Sequence, residues 1–372
     1  MRILQISSAR TRGGGERHFA DLTNALATRG HEVYAALAPT TQLRAELKAL
    51  PDAHIITLPL RNALDIASAN NLARFVRAHE IELVHAHVAR DYPLAAFAVR
   101  RSQSARLVIT RHVPFPMSKL HRFVLANVAR IIAVSGAVAA GLRAQGIFPA
   151  DKICVVPNGI DLERCAAVER DAARAALRGQ TRAALLVGTV GDLSHVKGQD
   201  IFVRAAAHVV ARGLTDTTFF IIGADNSAGR STQTQLEALI AAHKLELNVR
   251  LVGRIEDLAP LLRALDVYVS ASRAEAFGLA MVEAMACGVP VVATATDGAR
   301  EIVADGVTGR LVPLDAPEAL ADALSELLLN ADQRRAMGAR ARVAAHARFS
   351  LARMVDETEQ VYRAALGRAP IS

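Results

Sequence analysis

Tryptophan is absent from this chain, and aromatic residues make up only 4% of its 372 positions. Proteins that hold single-stranded nucleic acid stack its bases on aromatic side chains, so nucleic acid is not an expected partner. Blocks of Lys and Arg of the kind that form nucleic-acid-binding tails are missing too. Cysteine occurs only at Cys154, Cys165 and Cys287. Three are too few and too scattered for a disulfide framework or a zinc site, and they suit a reducing cytoplasm. No stretch approaches the ~20 apolar residues that a membrane span needs. The first residues, Met1 to Ser7, read as a short strand whose apolar part is too short for a signal peptide. There is no D-x-D, so a metal-bridged diphosphate is not suggested. Internal repeats and low-complexity runs do not stand out.

What is present is a 52% hydrophobic chain, long enough for two domains of ordinary size. The net charge of +8 is unevenly placed. Residues 1–150 hold 19 Lys and Arg against 9 Asp and Glu, whereas residues 151–372 hold 25 against 27. An N-terminal half that meets an anionic surface, either lipid or a phosphorylated acceptor, would carry such an excess. Ordinary solvated arginines would carry it as well.

Short apolar strands alternate with helical stretches along the chain, which predicts an α/β protein with parallel sheets. Strands are expected at Arg2–Ser7, His31–Leu37, His54–Leu58, Leu83–His87, Arg106–Arg111 and Ile131–Ser135. A helix from Glu16 to Thr28 stops at Gly30. Pro116 to Ala129 reads as a basic amphipathic helix, either packed on its own sheet or lying at a membrane interface. Asn158-Gly159 is a turn signal near a domain boundary placed at about 165. Beyond it, strands are expected at Ala184–Val190, Phe219–Ile222, Val249–Arg254, Val267–Val269 and Val289–Ala293. Gly306, Gly309 and Pro313 mark a hairpin-like loop, and a last helix runs from Ser350 to Leu366.

Ser270 to Thr294 organises the rest. A strand leads into a loop with Glu275, Phe277 and Gly278, then a helix from Leu279 to Ala286, then a second strand after Gly288 and Pro290. Two acids, Glu275 and Glu283, have seven residues between them. Glu283 lies about 7.5 Å along the helix axis from Gly278. The helix start offers free N–H groups and the positive dipole end, which suit a phosphate. A pyrophosphate held there, with an acid on either side gripping hydroxyl groups, has the shape of a nucleotide-sugar site.

This stretch resembles the E-x7-E signature of the retaining glycosyltransferases of family four, which have the GT-B fold. The family reads E-G-F-G-L and then E-A-M-A-x-G-x-P-V-V-A. Here Glu275-Ala276-Phe277-Gly278-Leu279 is followed by Glu283-Ala284-Met285-Ala286-Cys287-Gly288-Val289-Pro290-Val291-Val292-Ala293. Gly13-Gly14-Gly15-Glu16-Arg17 resembles the family's G-G-x-E-R loop and is not the dinucleotide fingerprint, since His18 stands where the last glycine belongs. Lys197-Gly198 matches the end of G-R-x-x-x-x-K-G, but Asp192 stands where the family has Arg. Arg12, Arg17 and Arg273 are candidates to replace that missing cation. Val252-Gly253-Arg254 resembles the segment that reads the nucleotide base. The likeness covers nearly the whole chain and is weakest over residues 38–105.

The resemblance implies two Rossmann-like doubly wound domains with a cleft between them. They are an acceptor-binding domain over 1–165 and a donor-binding domain over 166–349, with a C-terminal helix, 350–372, crossing back to the first. It implies transfer from a nucleoside-diphosphate sugar, UDP by frequency, to an acceptor hydroxyl in lipopolysaccharide, exopolysaccharide or glycolipid synthesis. The catalytic candidates are His112 and Glu275, with His85 and His87 competing for the histidine role. Donor-binding candidates are Gly14, Gly15, Lys197, Gly253, Arg254, Phe277, Gly278, Leu279 and Glu283. No cofactor or metal is required, though Mg²⁺ is compatible. A cytoplasmic place is expected, with peripheral attachment to the inner membrane face through the basic half as an option. A glycosidase would need both acids around one sugar, which the intervening helix opposes. A nucleotide-sugar epimerase and a non-catalytic nucleotide-sugar-binding subunit are the remaining alternatives, the latter favoured by Asp192.

Overall fold

The computed structural model describes residues 1–10, 13–166, 168–177, 181 and 183–369. The chain divides into two compact units, Met1–Gly159 with Leu351–Ser372, and Ile160–Ser350.

The first unit is built on seven strands: β1 (Arg2–Ser7), β2 (Glu32–Leu37), β3 (Ile55–Thr57), β4 (Leu83–Ala86), β5 (Arg106–Arg111), β6 (Val128–Ala133) and β7 (Ile153–Val155). They pair in the order β3-β2-β1-β4-β5-β6-β7, every pair parallel. Helices cover such a sheet on both faces, so its strands are apolar throughout rather than alternating. Ile3, Leu83, Val108 and Ile132 are accordingly buried in one core with Phe19, Leu22 and Leu26 of the Gly14–Thr28 helix. The Leu351–Ala365 helix packs into this same core through Met354, Val355, Val361 and Tyr362. Arg29 to Asp356 at 2.6 Å and His31 to Glu359 at 2.8 Å tie it at the rim.

The second unit has six strands: β8 (Leu185–Val190), β9 (Thr217–Ile222), β10 (Val249–Val252), β11 (Val267–Ser270), β12 (Val291–Thr294) and β13 (Gly309–Val312). Their order is β10-β9-β8-β11-β12-β13, again wholly parallel. Both units reverse strand order once, between β1 and β4 and between β8 and β11. Ligands of open α/β sheets bind beyond the carboxyl ends of the strands at such a reversal. Among the described residues no helix is long and apolar enough to cross a membrane.

Three expectations need correction. Pro116 to Ala129 is not one helix: only His121–Val124 is helical, and β6 already begins at Val128. Pro114 and Pro116 cannot donate to a helical ladder, and the segment is held by short-range turns such as His121 to Ser118. Gly309 does not close a hairpin. It opens β13, which lies parallel to β12, with Gly309 opposite Val291. The cysteines are not all isolated, because Cys165 and Cys287 form a disulfide across 122 residues of sequence. The Glu163–Ala166 turn and the end of the Leu279–Ala286 helix meet there, a long-range contact that spacing cannot show.

Gly198 sits in left-handed backbone with φ of 64°, and a Cβ there would lie 2.0 Å from the Ala271 carbonyl oxygen. Gly213 has φ of 90° but open space around it. Gly198→Ala should therefore lower stability by ~2–4 kcal/mol and Gly213→Ala by only about 1 kcal/mol. Equal shifts in urea unfolding midpoints would contradict the close approach.

Candidate active site

In the first unit the relevant groups follow β1, β4 and β5. The Gly14–Thr28 helix starts just after β1, and its first intrahelical bond runs from Arg17 N–H to the Gly13 carbonyl. The Gly14, Gly15 and Glu16 amides precede that bond, so the helix itself gives them no acceptor. A Cβ on Gly15 would meet the His112 ring at 3.5 Å, so the glycine loop and the expected active-site histidine are in contact.

A buried hydrogen-bond chain sets the tautomers beneath His112. Gln5 Nε2 donates to the Tyr362 hydroxyl at 3.1 Å. That hydroxyl meets His85 Nδ1 at 2.7 Å, and His85 Nε2 meets Thr110 Oγ1 at 2.7 Å. His85 is thus fully engaged in structure and drops out as a catalytic candidate. His87 Nε2 donates to Gln5 Oε1 at 2.8 Å, which leaves its Nδ1 as an acceptor 3.5 Å from His112 Nε2. With its Nε2 proton turned toward His87, His112 keeps the Nδ1 lone pair for another donor.

Sequence reasoning passed over His18 and Asp91. His18 is 2% exposed and neither ring nitrogen has a partner. Burial lowers its pKa to about 4, and the neighbouring Asn158 side chain offsets only part of this. Burial also holds His85, His87 and His112 well below the usual histidine value, with neighbouring imidazoles adding to the effect. All four are neutral at pH 7. Asp91 accepts from the Ser8 amide at 2.7 Å, and burial raises its pKa to about 6. Potential ligand atoms of His18, His87 and His112 lie within 4.8 Å of one another. A tetrahedral ion with Zn–N bonds of ~2.0–2.1 Å would need them about 3.4 Å apart, so the rings would have to turn to hold one.

In the second unit the groups flank the reversal between β8 and β11. Lys197 follows β8 and lays its chain over Gly191, where a Cβ would meet Lys197 Cδ at 3.3 Å. Its ammonium donates to Glu275 Oε2 at 2.6 Å. Gly278, with φ of 111°, starts the Leu279–Ala286 helix, and Met281 and Val282 donate to its carbonyl. The Leu279 and Ala280 amides consequently have no intrahelical acceptor. Phe277 turns its ring into the core, edge-on to Phe349 at 5.5 Å, so only its backbone can serve a ligand. Glu283 is buried in the helix. Tyr268 on β11, another residue the sequence reading missed, feels both acids. Its phenol is pushed up by burial and then by Glu275 and Glu283.

Asp192 is not a bare carboxylate beside the site. Gly253 and Arg254 follow β10, and Arg254 Nη2 reaches Asp192 Oδ1 at 3.1 Å. Arg273 does not replace the missing cation. It grips Asp200 through two bonds of 2.9 and 2.8 Å, Asp315 at 2.6 Å and the His195 carbonyl at 2.7 Å. Arg17 lies in the other unit, 3.6 Å from Asp21. Arg12 lies outside the described residues.

Fold and site define a two-unit α/β protein of GT-B type. The model of the family described as "Glycosyl transferases group 1" matches residues 178–344, and that of "Glycosyltransferase Family 4" matches residues 12–164. The chain belongs to the family-four glycosyltransferases. A D-inositol 3-phosphate glycosyltransferase of Actinosynnema mirum is 36% identical over 254 residues, 66% of this chain and 59% of that protein. One of Geodermatophilus obscurus is 38% identical over 57% of this chain and 47% of its own length. The chain thus spans roughly half the length of the curated relatives it matches. Among solved structures, Anabaena Alr3699/HepE in complex with UDP aligns with a TM-score of 0.86 at 22% identity, over 97% of this chain and 99% of that one. At that identity the likeness is one of fold.

The buried histidines make stability pH-dependent. His18 titrates near 6.5 when unfolded and near 4 when folded, so between these values the unfolded chain binds more protons. Its contribution is complete above 6.5 and is lost as pH falls toward 4. From pH 7 to pH 5 this amounts to ~2 kcal/mol. His18→Gln should flatten the fall in unfolding free energy by about that much, and an unchanged pH profile would contradict the assignment.

Proposed function

We propose that this protein is a retaining glycosyltransferase that moves a sugar from a nucleoside-diphosphate sugar, first of all a UDP-sugar, to an acceptor hydroxyl in cell-surface glycan or glycolipid synthesis. The observation that carries the reading is the 2.6 Å contact between Lys197 and Glu275. In a nucleotide sugar the β-phosphate is bonded to C1, so a cation for phosphate and an acid for sugar hydroxyls must lie side by side. These two groups lie side by side at the carboxyl edge of the second sheet. The UDP held by the Anabaena neighbour, and the UDP-glucose held in a further structure of it, support this choice of donor.

Breaking the C1–O bond builds negative charge on the leaving phosphate and positive charge on the sugar. Lys197, Arg254 and the amides of Phe277, Gly278 and Leu279 would stabilise the phosphate, since donors fixed in place cost no reorganisation as charge develops. Glu283 would take ribose hydroxyls and Glu275 sugar hydroxyls, orienting the ring. His112, neutral, would accept from a sugar hydroxyl and position rather than deprotonate. The acceptor oxygen bonds to C1 on the face the diphosphate leaves, and its proton passes to the departing phosphate oxygen. No cofactor or metal is needed for that step. Arg254, held by Asp192 at 3.1 Å, would take the place of the family's usual arginine, which weakens the case for a non-catalytic subunit. The acceptor falls to the basic first unit. Relatives named D-inositol 3-phosphate glycosyltransferase support a phosphorylated polyol there, with an anionic membrane surface on the cytoplasmic side as the alternative.

Glu275→Gln should lower transfer from UDP-sugar by ~10²-fold while UDP affinity stays within a few-fold. Undiminished transfer in a radiolabelled-donor assay would sink its role. Arg254→Ala should weaken UDP about tenfold and leave uridine almost unchanged. Equal weakening of both by titration calorimetry would place Arg254 at the base instead.

A further inference from the structure

The second unit holds a cavity of about 1030 Å³. It lies at the amino ends of β11 and β12, beside Asp266, Gly288 and Pro290, whereas Lys197 and Glu275 follow the carboxyl ends of β8 and β11. Five arginines line it: Arg170, Arg263, Arg334, Arg335 and Arg342. Among the described residues the only acid lining it is Asp266, which is 7% exposed and already saturated. Its oxygens accept from Arg170 at 2.8 Å, from Arg174 at 3.0 Å and from the Leu186 amide at 2.8 Å.

Of the remaining cations, Arg263 and Arg342 have no acidic partner among the described residues, and Arg334 reaches only the shared Asp266, at 4.0 Å. Arg334 donates to the Leu327 and Leu328 carbonyls at 2.7 and 2.6 Å, at the end of the Pro317–Leu329 helix. Arg263 donates to the Cys287 carbonyl at 2.6 Å, and its Nε is buried with no partner. Only Arg335 has an acidic partner of its own, Asp332. Arg335 and Arg342 are two helical turns apart and so share a face of the Ala331–Arg348 helix. Like charges gathered around a cavity are costly unless an anion joins them. Burial together with Arg174 and Arg263 already lowers the Arg170 pKa, against the pull of Asp266.

We propose that this cavity binds a ligand carrying two or more phosphate groups, at a site separate from the sugar donor. Guanidinium forks match phosphate oxygens two at a time, and five arginines around one shared lining acid call for more than one negative charge. The volume is at the upper end of the ~300–1,000 Å³ usual for small-ligand sites. Among the described residues no Phe or Tyr lines it, so the ligand is gripped by its phosphates and not by a stacked base. A soluble polyphosphate and a phosphoinositide headgroup present the same chemistry.

The test is titration of the full-length protein with sodium tripolyphosphate, in parallel with flotation on vesicles containing phosphatidylinositol bisphosphate. The variants are the double substitution Arg335→Ala/Arg342→Ala, both on an exposed helix face, and Lys197→Ala at the donor site. We expect tripolyphosphate to bind the Lys197→Ala protein, whose donor-site phosphate clamp is weakened, and to bind about tenfold or more weakly when Arg335→Ala/Arg342→Ala is added to it. Flotation that depends on the same two arginines would assign the phosphates to a lipid, and its absence would assign them to a soluble ligand. The proposal fails if tripolyphosphate does not bind the Lys197→Ala protein, or if adding the double substitution leaves its binding unchanged. Because the donor-site clamp is already weakened in that background, failure of this proposal and failure of the donor reading are distinguishable.

Discussion

The candidate donor site depends on a close approach of backbone to backbone. Gly198 lies so near Ala271 that no side chain fits between them, with a virtual Cβ at 2.0 Å from the carbonyl oxygen. A similar approach packs Gly298 against the Glu275–Phe277 backbone, where an added Cβ would lie 2.6 Å from the Glu275 oxygen. Held from both sides, the loop after β11 is brought within reach of the loop after β8, and Lys197 meets Glu275. The Leu279–Ala286 helix starts where that loop ends, so its free amides are placed by the same constraint. Van der Waals contact of main chain fixes this arrangement more firmly than the ion pair does, since part-exposed pairs contribute little on their own.

The first unit works by satisfaction of buried polar groups. Gln5, on the central strand, bridges Tyr362 of the last helix and His87. The order of donors and acceptors along that chain determines which nitrogen of His112 carries a proton. The C-terminal helix thus does more than cover apolar strands: it supplies the hydroxyl that anchors the sequence of tautomers. The neutrality that burial imposes on these imidazoles suits a group that accepts a hydrogen bond from a sugar, and it makes His112 a poor acid.

The parallel sheets were legible because buried parallel strands are nearly continuous apolar runs, as in Phe219–Ile222 and Leu107–Ile109. The Glu275–Glu283 segment was legible because a loop, a helix start and a glycine stop recur there in one long motif. Long-range pairing was not. Nothing in spacing places Arg254 on Asp192, 62 positions away, or Cys165 on Cys287. Nor could sequence tell that Arg273, free to choose, spends its guanidinium on Asp200 and Asp315. The stretch after Pro114 misled because its basic and apolar residues have helical spacing, while its two prolines and the early start of β6 leave room for a single turn. Gly309 read as a loop residue because glycine usually is. Here it lies in a strand, its bare Cα facing the Val291 carbonyl, where a Cβ would come within 2.3 Å.

The central claim is that the Lys197–Glu275 edge of the second sheet recognises a nucleoside diphosphate joined to a sugar. The most direct measurement is the melting temperature of the full-length protein with UDP, GDP, ADP and dTDP, each set beside its monophosphate and nucleoside. A ligand that binds only the folded chain stabilises it by ~2.7 kcal/mol at a hundred times its dissociation constant. The account predicts that one diphosphate raises the melting temperature, its monophosphate much less and its nucleoside hardly at all. A folded protein that no diphosphate stabilises, or one stabilised equally by diphosphate and nucleoside, would contradict it.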